Sequence, residues 1–271
     1  MQVEKGFSSG KRTCISISMS TKKKRVRDLD KIPTGADTKA SEISQELQNL
    51  ADPAKAKILA GFFKTGPGQY GEGDIFLGIQ VPSLRKISKK YRGLPLKEMQ
   101  VLVRSKLHEE RLTGFFILCE TFSKTEEIYR KQLHDFYLKN LRYVNNWDLV
   151  DLSSRIMIGE YLLDKDRSFL YELAKSKSLW ERRISIISTY AFIRESDFSD
   201  TIRISRILRN DSEDLIHKAV GWMLREVGNR NLQTEIKFLD KNAGKMPRTM
   251  LRYAIEKFPE PLRKKYLEFG K

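Results

Sequence analysis

The chain has 271 residues, 51 Lys and Arg against 35 Asp and Glu, and a formal charge of +16. That length can bury a large core, and the charge favours an anionic partner, of which nucleic acid is the commonest. Two cysteines and three histidines without ligand spacing exclude a disulfide framework and argue against metal chemistry; no apolar stretch approaches the roughly 20 residues that span a bilayer.

Residues 1–40 are rich in Ser, Thr and Lys, carry Lys22-Lys23-Lys24-Arg25 and Arg27, and have Glu4 as the only acid up to Arg27. Without an apolar period, this segment is expected to be a disordered basic tail. Its composition is shared by organelle transit peptides, nuclear-import clusters, nucleic-acid arms and starts without function. The expected location is cytoplasmic, nucleoid-associated if the source is bacterial, with nuclear or organellar targeting left open by the tail. Residues 1–50 hold ten Lys and Arg against six acids, so an excess of 12 lies on residues 51–271 and the folded body is itself basic.

From Ser41 onward, apolar residues recur at three and four spacing with Pro or Gly at the breaks. The spacing predicts helices over 41–51, 53–64, 82–91, 95–105, 108–122, 125–140, 146–163, 166–176, 179–194, 198–209, 212–227, 231–242, 247–257 and 259–269, and no strand. The Gly-rich stretch from Gly66 to Asp74 lacks the Lys-Ser/Thr ending of a phosphate loop and reads as a loop between helices, with Tyr70 a candidate DNA contact.

A period of 36 aligns Arg111, Trp147, Arg183 and Ala219. Helix pairs repeated at that length stack, because one pair cannot bury its apolar face alone. The expected fold is therefore all-α, a superhelical solenoid of HEAT-like antiparallel helix pairs over residues 41–271. Groups at one phase share one side of such a stack, so Arg111, Trp147, Arg182 or Arg183, Lys218, Trp222 and Arg225 are expected to form a continuous basic and aromatic stripe suited to a duplex. Arg248 and Arg252, one turn apart on a late helix, are either phosphate contacts or a solvated face.

Trp147 and Asp151 stand at i and i+4 near the start of a helix capped by Asn145 or Asn146, so both side chains emerge on one face. Two readings are open. Either the aspartates complement the helix dipole while Trp147 packs on a neighbouring repeat, or indole and carboxylate together form a site. Trp222 returns at nearly the same phase two repeats later, where it is either core or a second wall of that site.

Asn146-Trp147-Asp148-Leu149-Val150-Asp151, Trp180-Glu181-Arg182-Arg183 and Lys218-Ala219-Val220-Gly221-Trp222-Met223-Leu224-Arg225-Glu226, preceded by Phe76-Leu77-Gly78-Ile79-Gln80-Val81-Pro82, occur in that order. Over roughly residues 45–268 the chain resembles the AlkD-type DNA alkylation-repair glycosylases. The resemblance implies an all-helical superhelix that removes positively charged N3- and N7-alkylated purines from double-stranded DNA without a metal or cofactor. It also implies that the lesion stays in the duplex, that Trp147, Asp151 and Trp222 are catalytic, and that Arg183 contacts phosphate. The family pattern carries a second Trp where this chain has Asn146, a difference that bears on packing and adduct range. A monomer is expected. Two rivals share the basic surface: a non-catalytic helical-repeat protein that binds damaged or branched DNA by shape, and a scaffold for an acidic protein.

Overall fold

The computed structural model describes residues 38–269. The basic tail inferred for residues 1–40 therefore lies almost wholly outside the described residues. The described body is all-helical, a helical-repeat fold. Its helices are α1 (Ala40–Gln48), α2 (Pro53–Phe62), α3 (Val81–Lys90), α4 (Leu96–Val103), α5 (His108–Phe122), α6 (Glu127–Lys139), α7 (Trp147–Ser154), α8 (Ser168–Leu173), α9 (Leu179–Ser188), α10 (Tyr190–Arg194), α11 (Ser199–Leu208), α12 (Asp214–Arg230), α13 (Leu232–Asn242), α14 (Arg248–Ala254) and α15 (Glu260–Glu268).

Helix α5 packs on α7, α7 on α9, α9 on α12 and α12 on α14. Arg111, Trp147, Arg183 and Ala219 each lie in the first turns of α5, α7, α9 and α12, so the 36-residue period is the step from one helix of this row to the next. The remaining helices shield the row. One continuous apolar core runs from Ala40 to Tyr266. Helix α5 is buried along its whole length except at Glu120, which explains why its apolar residues show no single stripe.

Burying α5 brings polar groups into the core, where His108, Glu109 and Arg111 find partners while the Thr113 hydroxyl has none. The Glu109 carboxylate accepts hydrogen bonds from the backbone N–H of Leu77 (2.9 Å), Gly78 (2.8 Å) and Ile79 (3.2 Å), which fastens the irregular Phe76–Val81 stretch onto α5. Gly78 has φ +86, and a Cβ there would lie 2.2 Å from the Asp52 carbonyl oxygen, so only glycine fits this turn. The Phe76-Leu77-Gly78-Ile79-Gln80 motif is thus a docking device. The chain's single bridge among the described residues, Ile75 with Leu107, is part of it.

Two expected helices differ from the spacing. The span 146–163 is α-helical only to Ser154 and continues as a π-helical segment over Arg155–Glu160. There the Nδ1 of His134 donates to the Met157 carbonyl at 2.7 Å. The span 179–194 is divided at Thr189, whose hydroxyl donates to the Ile186 carbonyl at 2.7 Å. Side-chain hydrogen bonds to main-chain carbonyls accompany both interruptions, and apolar periodicity carries no trace of them.

Gly221 sets the closest approach in the row. A Cβ at this position would sit 2.4 Å from the Met250 carbonyl oxygen and 2.5 Å from the Tyr253 Cβ, both on α14. Gly221→Ala should therefore push α12 and α14 apart and cost about 1–3 kcal/mol, the usual penalty of overpacking. A lower urea midpoint in equilibrium unfolding checks this, and a midpoint equal to wild type would contradict the close contact.

Candidate active site

Helix α7 starts at Trp147 because Asn146 caps it. The Asn146 side-chain oxygen accepts from the Trp147 backbone N–H at 2.8 Å, and its amide donates to Asp74 at 3.2 Å. Asn146 is fully buried. The position that differs from the resembled pattern is thus a helix cap joined to the end of the Gly-rich loop. One turn into α7, Asp151 emerges on the same face as Trp147, and both are half-buried.

Trp147, Asp151, Arg183, Lys218, Trp222 and Arg225 line one cleft of about 620 Å³. The fold thereby brings together all three residues inferred to be catalytic and three of the seven inferred to hold DNA. Phe62, Lys64, Tyr70 and Tyr253 add to the wall, and Glu213, Asp214 and Leu215 at the start of α12 close it. Of these, Tyr70 was visible as a candidate in the Gly-rich loop. Phe62, Lys64 and Tyr253 were missed, since they come from the end of α2, the following turn and α14, where no motif marks them.

The centre of the cleft is an ion pair. Arg183 Nε donates to Asp151 Oδ1 at 2.9 Å and Nη2 to Oδ2 at 2.8 Å, while Nη1 reaches the Leu215 carbonyl at the start of α12. Burial pushes the Asp151 carboxyl above the usual carboxylate range; the Arg183 guanidinium pulls it down, and Asp148 adds a smaller upward push. The Asp151 side chain keeps one-fifth of its surface exposed (20 %) and borders both this cleft and a second, smaller pocket beside Arg155. The result is a desolvated carboxylate held by a two-pronged cation and still accessible.

The indoles are placed by different means. One face of Trp147 lies against Phe63, with ring centroids 5.1 Å apart and planes within 10°, and Phe62 meets it edge-on at 6.0 Å. Trp222 donates its indole N–H to Glu226 at 3.0 Å and lies 6.3 Å from the Tyr190 ring. Tyr70 reaches the Trp180 ring at 6.0 Å, and Lys64 stands over Tyr70 at 5.9 Å.

Several inferred DNA contacts are corrected. Arg111 is 3 % exposed and gives its guanidinium to Asp74 (2.5 Å) and the Ser105 carbonyl (3.0 Å), so it braces the core. Arg183, 5 % exposed, is the partner of Asp151 and not an open phosphate contact. Arg182 turns away from the cleft to Asp211 (2.6 Å) and the carbonyls of Ser176 and Lys177. Arg248 is exposed but donates to the Leu267 and Phe269 carbonyls at 2.9 Å, capping the end of α15. Arg252 is exposed and outside the cleft lining. Nor is the stripe continuously basic, because Lys218 pairs with Asp214 at 2.8 Å and Arg225 with Glu256. A common phase along the stack places residues side by side, but it does not say which ones find an acid on the next helix.

Behind Trp147 lies a second charged cluster. His108, fully buried at the start of α5, places Nδ1 3.0 Å from Asp74 and Nε2 2.8 Å from Asp148. Burial disfavours its charge, but the two carboxylates outweigh this and raise the imidazole from its ordinary 6.5 to about 9, against a smaller opposing effect of Arg111. Among the described residues no group of three or more His, Cys, Asp or Glu is placed to hold a metal ion, and no helix is long and apolar enough to cross a membrane.

A row of stacked helices carrying an acid–arginine pair between two indoles defines a helical-repeat protein with a cleft built across successive repeats. The chain belongs to the DNA alkylation repair enzyme family, whose model matches residues 43–258. Among solved structures it is similar to a predicted DNA alkylation repair enzyme from Enterococcus faecalis, at 15 % identity and a TM-score of 0.61, over 78 % of this chain and 97 % of that one. That likeness concerns the fold. No curated protein matches the sequence.

The His108 cluster has a pH signature. A basic group with a raised folded pKa stabilises the fold fully below its unfolded value, about 6.5, and loses that contribution as pH rises through about 9. Urea unfolding of wild type should thus weaken between pH 7 and pH 10 by roughly 2–3 kcal/mol beyond any loss in His108→Gln. Parallel pH profiles for the two proteins would show that His108 is not held as an imidazolium.

Proposed function

We propose that the protein is a DNA glycosylase that excises positively charged N3- or N7-alkylated purines from double-stranded DNA, acting as a monomer and without base flipping. One observation carries the reading: an accessible, arginine-held carboxylate shares a cleft with two indoles on a protein of the DNA alkylation repair enzyme family.

Alkylation at N3 or N7 leaves the purine positively charged, so the bond between N9 and C1′ breaks with its electron pair departing to neutralise the base. The barrier lies in the positive charge left on the deoxyribose. Asp151 is the group to stabilise it, because a fixed carboxylate aimed at developing charge in a partly dry site needs no reorganisation when the charge appears. The same carboxylate orients the water that attacks C1′ and receives its proton as the abasic site forms. Arg183 keeps Asp151 ionised despite burial and keeps it in place. Trp147 and Trp222 offer aromatic faces to the cationic nucleotide, a contact worth about 0.5–2 kcal/mol each. The purine is its own leaving group, so this route needs no cofactor.

Lys218 and Arg225 are the cleft cations with exposed acid partners. Surface pairs of that kind are worth about 0–1 kcal/mol, so phosphates can replace the acids at little cost. The rival reading of shape-specific binding without chemistry is favoured by one feature, the full engagement of Arg183 by Asp151 and Leu215, which a purely structural ion pair would also show.

The test is release of free 7-methylguanine or 3-methyladenine from methylated duplex DNA. Wild type should release base, and Asp151→Asn should be slowed more than tenfold, over about 1.4 kcal/mol of barrier, with duplex affinity retained. Release by both proteins at similar rates would remove Asp151 from the chemistry, and no release by wild type would favour the binding reading.

A further inference from the structure

We infer that Phe63, Phe76 and His108 are positioning residues for the proposed site, forming a compact cluster of rings that fixes the plane of Trp147. This rests on the glycosylase reading for its consequence, but its geometry stands apart from it. Phe63 lies 5.1 Å from Trp147 at 10°, Phe76 lies 5.0 Å from Phe63 at 25°, and His108 lies 4.5 Å from Phe76 at 22° and 5.1 Å from Phe63 at 42°, so the three rings touch one another. Trp147, a residue of the cleft, rests on this cluster through Phe63, and the cluster is anchored by the buried imidazole between two carboxylates.

The backbone of Trp147 is held by the same cluster. Asp74, which pairs with His108 and Arg111, also accepts from Asn146, and Asn146 accepts from the Trp147 N–H. Asp148, the other partner of His108, is the residue after Trp147 and accepts from the Leu149 N–H at 2.8 Å. The ring and the main chain of Trp147 are thus tied into one closed circuit that passes through the loop end, α5 and the start of α7. A side chain with one face in an open cleft would otherwise sample several rotamers, and a near-planar contact on its inner face removes that freedom.

Ordinary core packing does not explain the cluster. Phe63, Phe76, His108 and Asp148 all border a separate, mainly apolar cavity of about 550 Å³, so the rings are not confined by close packing on that side. Ring contacts and the ion pairs of His108 hold them. The charged groups facing His108 are Asp74 from the loop, Asp148 from α7 and Arg111 from α5, whose Nη2 lies 3.5 Å from Nδ1. Neutralising the imidazole weakens the two carboxylate contacts, and the cluster loses its anchor.

The experiment uses the full chain and reads Trp147 directly. Near-UV circular dichroism is recorded for wild type, Phe63→Leu, Phe63→Tyr and His108→Gln, each with and without Trp147→Phe, so that the difference isolates Trp147. The Trp147 signal should collapse in Phe63→Leu, persist in Phe63→Tyr, and in wild type fade as pH rises through about 9 while His108→Gln shows no such transition. Single-turnover base release should fall about tenfold or more in Phe63→Leu, with affinity for undamaged duplex within about twofold of wild type, as misplacing a catalytic group predicts. A full Trp147 signal in Phe63→Leu, or one indifferent to pH in wild type, would overturn the inference. Should Phe63→Leu fail to fold, the wild-type pH titration decides alone. No base release by wild type would overturn the proposed function, while the Trp147 signal would still decide the role of the ring cluster.

Discussion

A carboxylate taken partly out of water stays ionised only if a cation is held against it, and the cleft is organised around meeting that requirement at Asp151. The cation is Arg183, one helix further along the row, and its third contact is the Leu215 carbonyl on the helix beyond. A single guanidinium therefore ties α7, α9 and α12 at the level of the cleft. Trp147 and Trp222 stand on the first and third of these helices, so the interaction that keeps the acid charged also sets the spacing of the two indoles. Moving Arg183 would loosen the charge, the helix spacing and the aromatic walls together.

Two of the remaining cations of the cleft are in a different state. Lys218 and Arg225 have partners that are themselves half-exposed, Asp214 and Glu256, whereas Asp151 has lost most of its water. Exposed pairs exchange partners readily and buried ones do not. The outer cations are thus suited to leaving their acids for a polyanion, and the central pair is not. The formal charge of +16 thus overstates what the cleft presents in the absence of a ligand.

Much of the arrangement was legible in the sequence because it depends on spacing. Four residues separate Trp147 from Asp151, which places them on one helical face, and the 36-residue step from Trp147 to Arg183 is the distance from one stacked helix to the next. The all-helical class followed from apolar periodicity. What spacing does not encode is the direction and occupancy of a side chain. Arg111 and Arg183 share a phase, yet one is consumed by Asp74, which arrives from a loop 37 residues earlier, and the other by the acid of the site itself. Arg182, adjacent to Arg183, turns the other way to Asp211. Phe62 and Lys64 line the cleft beside Trp147, a meeting of segments far apart in the chain that no motif marks. Asn146, read as a departure, is the buried cap on which the position of α7 rests.

In the proposed glycosylase function, charge on the lesion is the property that the acid and the indoles select. The most direct measurement compares single-turnover base release from two duplexes identical except for one guanine, methylated at N7 and cationic in the first, methylated at O6 and neutral in the second. Release of the N7-methylated base with no detectable release of the O6-methylated one is the predicted result. Comparable release of both would contradict it, since neither a fixed carboxylate nor aromatic faces would then be acting on positive charge.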